Sequence, residues 1–456
     1  MIHSPFFILR IKLLNHQQLQ ERINSDASRD EDWNSNSTDT AYQIDRARII
    51  HSASFRRLQA KTQILGIGDS DFYRTRLTHS MEVAQLGFGI TENLKIQYKD
   101  NQELFDLIPT QNAIESTCLA HDIGHPAFGH GGEVALNYCM TNHGGFEGNG
   151  QTLRIVSKLA EYTQENGMNL TRRTLLGLIK YPVPFSQFEI EYPEKQQTNI
   201  LSLPLQLNDY HPPKCILDTE LDLLHWCIEL FSQKDKKLFM SINPNKRKKP
   251  LYKSFDSSIM ELADDISYGI HDLEDAVALK LITERQWREE VVTNLKVLNI
   301  ELNNNIEELT DLLFGNTNRE RKHAISKLIR YFIKKSVIQK QNLFDHDLLD
   351  YNVNLEDSEH IKAINIIKDF VINKVIKQPE IQILDYKGQE IIVKLFEVLS
   401  HNPKNLLPTS TYKQYEIAEN KNRVICDYIS GMTDAYASRL YHKLFTPNMG
   451  SVFDRL

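Results

Sequence analysis

The stretch Cys118-Leu119-Ala120-His121-Asp122-Ile123-Gly124-His125-Pro126-Ala127-Phe128-Gly129-His130-Gly131-Gly132-Glu133 decides how this chain is read. From His121 to Glu133 it carries three histidines, one aspartate and one glutamate. The adjacent His121 and Asp122 offer an imidazole nitrogen and a carboxylate oxygen, a donor pair suited to Mn²⁺, Fe²⁺, Co²⁺ or Mg²⁺. Neighbouring helical side chains point about 100° apart, so the pair grips a divalent metal only if other segments add donors. Arg74-Thr75-Arg76-Leu77-Thr78-His79 supplies His79 upstream, and Met260-Glu261-Leu262-Ala263-Asp264-Asp265 supplies Asp264 downstream. Together His79, His121, Asp122 and Asp264 are expected to form one metal site, with room for water and a phosphate oxygen.

Asp265 is the rival to Asp264, and helical spacing separates them. Asp264, Tyr268 and Asp272 stand at i, i+4 and i+8 on one face, so one helix is expected to show a metal ligand, an aromatic ring and a carboxylate to one pocket. Asp265 projects about 100° away from that face.

Past the His-Asp pair, Pro126, Gly129, Gly131 and Gly132 interrupt regular helix and let backbone approach a phosphate closely. His125 and His130 are candidates for proton transfer, and Glu133, three residues after His130, for orienting its imidazole. A divalent cation, a histidine that protonates a leaving oxygen and a carboxylate behind it suffice for hydrolysis. Arg74 and Arg76 are expected to clamp phosphate beside the metal, with Lys180 and Tyr181 adding an amine and a phenol. Arg56, Arg57 and Lys61 read on composition as a solvated helix face, and residues 246–249 as an exposed basic loop.

The bulk properties fit that chemistry without specifying it. At 456 residues the chain can bury a large core. A hydrophobic content of 41% with 25% charged residues is that of an ordinary soluble protein. The net charge of −7 gives no overall basic footprint for nucleic acid. Five scattered cysteines without a Cys-x-x-Cys spacing point to a reduced cytoplasmic protein without disulfides. The segment Pro5 to Leu14 is interrupted by Arg10 and Lys12, which argues against a secretory signal, and no apolar run approaches the roughly 20 residues of a membrane helix.

The chain reads as mainly α. Residues 1–40 are expected to form a short helix and a polar loop, 41–280 the catalytic domain, and 281–456 a mainly helical C-terminal region completing the site and an oligomer interface. Met81, Ala84 and Phe88 are expected to form a buried stripe after His79. The pattern is helical from Asp275 to Phe344. Residues 381–386 and 390–393 are expected to be short strands or a hairpin around Lys387-Gly388.

Several segments resemble the deoxyguanosinetriphosphate triphosphohydrolase family of the HD superfamily. They are Arg46-Ala47-Arg48-Ile49-Ile50-His51-Ser52, Phe55-Arg56-Arg57-Leu58-Gln59-Ala60-Lys61-Thr62-Gln63, Arg74 to Val83, the His-Asp stretch, Phe146-Glu147-Gly148-Asn149-Gly150-Gln151, Leu178-Ile179-Lys180-Tyr181-Pro182, Glu261 to Tyr268, and Asp427-Tyr428-Ile429-Ser430-Gly431-Met432-Thr433-Asp434. The resemblance implies a helical HD fold with a C-terminal helical extension. It implies homo-oligomers, often hexamers, that cleave a dNTP, dGTP first, to deoxynucleoside and tripolyphosphate. It makes His79, His121, Asp122 and Asp264 metal ligands and His130 the catalytic histidine, supported by Glu133, with a softer role for His125. It makes Arg76, Lys180 and Tyr181 triphosphate contacts and Gln63 the reader of the sugar 3′-hydroxyl. Tyr268 would lie under the deoxyribose and Asp272 on its 3′ side.

Ala435 departs from the arginine of many relatives, and Pro213-Lys214-Cys215-Ile216 matches the family only loosely. Single-stranded DNA or a second dNTP is the activator such relatives suggest. The alternatives are an HD phosphohydrolase acting on another nucleotide, or a non-catalytic regulator that binds dNTP or single-stranded DNA.

Overall fold

In a computed structural model, the protein is described over residues 17–24, 39–61, 63, 74–193, 207–246 and 248–446. Most of the expected N-terminal helix and polar loop of residues 1–40, and Arg247 of the basic loop, lie outside the described residues.

Helices dominate. In chain order the helices before residue 300 include α1 (Thr40–His51), α2 (Arg76–Gln97), α3 (Gln111–Ala120), α4 (Gly129–Met140), α5 (Arg172–Leu178) and α6 (Phe255–Ala278). Beyond residue 300 the chain adds α7 (Asn318–Lys334), α8 (Ser358–Val371), α9 (Pro379–His401), α10 (Lys421–Ser430) and α11 (Asp434–Phe445). Several begin on a polar cap that satisfies an otherwise orphaned N–H. Thr75 and Thr78 close a capping box at α2, Thr110 accepts from Ala113 N at α3, and Ser254 accepts from Ser257 N at α6.

Two large apolar clusters and a small one around Val183, Phe188 and Cys215 form the core of the described residues. In the first, α2 packs against α3 and α6, and α6 against α8. The second joins α4 to α9, α10 and α11. The buried stripe of α2 is Val83, Leu86, Ile90 and Leu94, and Met81, expected inside, is 56% exposed. The 3.6-residue period fits two rotations of this helix, and packing against α3 and α6 selects the one that turns Met81 out.

Residues 381–393 are not strands. They lie in α9, which opens on Pro379 at its first turn, where the missing N–H costs nothing. Gly388 is not a turn residue either, since a Cβ there would lie 2.5 Å from Phe128 Cβ. It is the point where α9 closes against the turn before α4. The sheet among the described residues lies instead within the region expected to be helical and just after it. There β1 (Ser336–Lys340) pairs antiparallel with β2 (Tyr351–Leu355), Ser336 opposite Leu355.

All five cysteines are buried and unpaired. Among the described residues no helix is long and apolar enough to cross a membrane.

Candidate active site

The His-Asp pair sits just past the C-terminus of α3, where the helix gives way to a turn. Thr152 holds that turn from below, its Oγ1 accepting from Gly124 N at 2.9 Å and donating to His121 O at 3.1 Å. His121 Nδ1 lies 2.6 Å from the Cys118 carbonyl. A carbonyl only accepts, so Nδ1 carries the proton and Nε2 keeps its lone pair. That Nε2 is buried and has no hydrogen-bond partner.

The other candidate ligands meet it there. Donor atoms of His79, His121 and Asp122 all lie within 4.8 Å of one another. Asp264, on α6, brings Oδ1 to 3.2 Å from His79 Nε2 and 3.7 Å from His121 Nε2. Asp122 Oδ1 is 3.5 Å from His121 Nε2. Adjacent ligands of an octahedral cation with bonds of roughly 2.1 Å stand about 3 Å apart. The orphaned His121 nitrogen and the mixed nitrogen and carboxylate donors therefore fit a divalent cation. Burial opposes ionisation of both aspartates, yet His125, His121 and Arg76 hold Asp122 well below the usual carboxylate range. Lys180, His121 and His79 do the same for Asp264. Asp265, one residue on, turns away and pairs with Lys368.

A cavity of about 580 Å³ opens onto this cluster, within the range of small-ligand sites. Gln63, Arg76, His125, His130, Lys180, Tyr181 and Tyr268 all line it. Phe128 and Gly129 both take left-handed backbone, at φ 62° and 55°, and so swing the chain into α4. Phe128 N donates to Asp434 at the start of α11, which holds the unfavourable conformation in place. This turn carries His130 to the cavity with its side chain 75% exposed, while Nδ1 lies 3.1 Å from the buried Glu133 carboxylate. Burial raises the Glu133 carboxyl, but Lys214 and His130 prevail and keep it well below its ordinary value. His125 is more enclosed; its Nδ1 is 3.0 Å from Asp122 Oδ1 without hydrogen-bond geometry. Burial pulls its pKa below that of a free imidazole.

Three expected positions need correction. Arg74 is not at the cavity, because its guanidinium is consumed by Glu82, Glu274 and Asp275. Asp272 is buried one turn beyond Tyr268 and is absent from the cavity wall. Burial, with Asp275 nearby, raises its carboxyl well above the usual range, and Oδ2 has no partner. Lys61 is not a solvated residue. It is 3% exposed, and its Nζ donates to the carbonyls of His125 at 2.7 Å and Ser430 at 3.0 Å.

Part of the wall was not anticipated at all. Ile381, Leu384, Asp385 and Gly388 of α9 line the cavity, at the i, i+3, i+4, i+7 spacing of one helix face. A helical reading of that segment would have found them. Ala435 and Ser438 add the next wall from α11, and Lys214, from the segment that matches the family only loosely, lies in the wall as well.

Comparison with known proteins identifies the family. Residues 76–181 match the HD domain and residues 357–443 the phosphohydrolase-associated domain. A deoxyguanosinetriphosphate triphosphohydrolase-like protein of Shewanella halifaxensis is 48% identical over 421 residues, 91% of this chain and 94% of the relative. One of the same description from Shewanella pealeana is 46% identical over 443 residues, covering 95% and 97% of the two chains. With such identity over almost the whole of both sequences, the chain belongs to the deoxyguanosinetriphosphate triphosphohydrolase-like family of the HD superfamily.

Proposed function

We propose that this protein is a metal-dependent dNTP triphosphohydrolase that takes dGTP first and releases deoxynucleoside and inorganic tripolyphosphate. The observation that carries this reading is one cavity whose wall holds His79, His121, Asp122 and Asp264 together with Lys180, Lys214 and Tyr268. A divalent cation bound there supplies Lewis acidity toward a phosphoryl oxygen and toward water. His79, His121, Asp122 and Asp264 would hold it.

The protein's own groups supply the rest. Lys180 and Arg76 balance phosphate charge around the α-phosphorus, and the neutral Tyr181 phenol donates a hydrogen bond to the phosphate. A water oxygen bonds to that phosphorus while its bond to the sugar O5′ breaks, and O5′ leaves with a proton. His130 would move that proton, a role supported by the Glu133 carboxylate holding Nδ1 while the ring lines the cavity. Tyr268 packs beneath the sugar and leaves little room for a 2′-hydroxyl, with Gln63 at the 3′ side.

Incubation with each dNTP and with GTP, in Mn²⁺ or Mg²⁺, tests the reading by chromatography of the products. Deoxynucleoside and tripolyphosphate from dNTPs but not from GTP is the expected result. Monophosphate or diphosphate products would point to a different HD phosphohydrolase. No turnover even with mixed dNTPs and single-stranded DNA as activators would leave a binding regulator. Homo-oligomeric assembly belongs to the same reading, supported by exposed Ile383 and Tyr386 on the helix that walls the cavity.

A further inference from the structure

The basic stretch after Asn243 is not a free excursion into solvent. Ile242 bridges Pro250, Asn243 N donates to Lys249 O at 2.9 Å, and Lys249 N donates to Lys246 O at 2.8 Å. These bonds fold the described residues 242–246 and 248–250 back on themselves. Lys214 N donates to Lys248 O at 2.8 Å, which pins the fold-back to the segment carrying a lysine of the cavity wall.

The consequence is a row of ammonium groups around Tyr181. Lys249 Nζ stands 5.9 Å and Lys214 Nζ 6.0 Å from the centre of its ring. Lys180, the adjacent residue, reaches Asp264 at the metal cluster, 3.3 Å away. The row thus starts at a candidate metal ligand and ends on the basic fold-back.

The lysines differ in how they are neutralised. Lys180 has Asp264, and Lys214 has Glu147 at 3.0 Å and Glu133 at 3.6 Å. Lys253, four residues past Lys249, pairs with Glu261. Among the described residues the Lys249 ammonium makes no hydrogen bond or ion pair, and Asp265, the nearby carboxylate, is taken by Lys368. Lys249 is nonetheless half-buried. Burial, then the charges of Lys180, Lys246 and Lys214, push its ammonium below the usual lysine value. Holding an unpaired cation among other cations destabilises the fold, and a polyanion laid along the row would relieve that repulsion.

We propose that Lys249 binds the terminal phosphate of a linear triphosphate and so makes the site selective for polyphosphate chain length. This rests on the proposed function for the phosphate that lies at the metal cluster. Lys249 stands behind Tyr181, outside the residues that wall the cavity, so an anion confined to the cluster would not engage it. A three-phosphate chain running past Lys180 and Tyr181 would reach it.

The test is calorimetric binding of inorganic phosphate, pyrophosphate and tripolyphosphate to the full chain in excess Mg²⁺. Wild type should bind tripolyphosphate more tightly than pyrophosphate. Lys249→Gln should lose about tenfold in tripolyphosphate affinity and stay within about twofold for pyrophosphate. Lys249→Arg should recover most of the loss, and Lys246→Gln on the exposed turn should change neither affinity beyond about twofold. An unchanged tripolyphosphate affinity in Lys249→Gln, an equal loss for both anions, or no preference for tripolyphosphate in wild type would overturn the proposal. Binding is read without turnover. A protein that hydrolyses no dNTP yet shows this pattern would therefore lose the proposed activity and keep the subsite, and the reverse result would do the opposite.

Discussion

Arg76 and Asp122 form an ion pair beneath the cavity, Nη1 to Oδ2 at 2.7 Å, with both side chains less than a tenth exposed (6% and 8%). The pairing occupies one carboxylate oxygen and leaves Oδ1 turned toward His121. Arg76 is therefore a positioning group for a candidate ligand, in addition to facing the cavity itself. Groups that orient metal ligands are typically worth about 10- to 100-fold in metal affinity.

Replacing Arg76 by lysine keeps the charge and loses the planar fork. Mn²⁺ affinity of Arg76→Lys, measured by calorimetric titration, should fall about 10- to 100-fold. An affinity equal to wild type would contradict the positioning role.

His130 and the metal cluster should separate cleanly. His130→Ala should lower kcat by about 10²- to 10⁴-fold while Mn²⁺ affinity stays near wild type, because His130 contacts Glu133 rather than a candidate ligand. Full turnover in the variant, or a parallel loss of metal binding, would show that the assignment is wrong.

Lys61 predicts a pH signature. Its ammonium is pushed down to about 7, by burial first and then by Arg57, with Asp434 opposing. The unfolded chain keeps that proton until about pH 10.4. Between these values the unfolded state binds more protons, so the contribution of Lys61 to stability rises with pH. Below about pH 7 the folded state bears the full cost of the buried charge. Urea unfolding across pH 7 to 10 should show wild type gaining stability relative to Lys61→Met. A pH-independent difference between the two would refute it.

Gly388→Ala sets propensity against packing. Alanine favours an exposed helix by roughly 1 kcal/mol over glycine, but here the new Cβ would meet Phe128 Cβ at 2.5 Å. Overpacking of this kind costs about 1–3 kcal/mol, so the melting temperature should fall. A rise would mean that α9 is free to move away from Phe128.

The sequence revealed what is local and left hidden what is brought together by folding. His121, Asp122, His125 and His130 fall in one stretch, and helical spacing alone distinguished Asp264 from Asp265. Arg74 and Arg76 looked equivalent, because nothing nearby in sequence shows that Glu274 and Asp275 claim one and Asp122 the other. Lys61 looked solvated because its acceptors are the carbonyls of His125 and Ser430, the second of them 369 residues away. The α9 wall was missed for a different reason. Its isoleucines favour strands, and Gly388 imitates a turn, whereas Pro379 and the i, i+3, i+4 spacing were the signals that mattered. The basic stretch at 246–249 was legible as charge, but not as a fold-back held by Lys214.

The most direct measurement is hydrolysis of dGTP in water enriched in heavy oxygen, with the products resolved by mass spectrometry. Attack at the α-phosphorus predicts one heavy oxygen in tripolyphosphate and none in deoxyguanosine. Label in orthophosphate or pyrophosphate, with dGDP or dGMP as the partner product, would contradict the account.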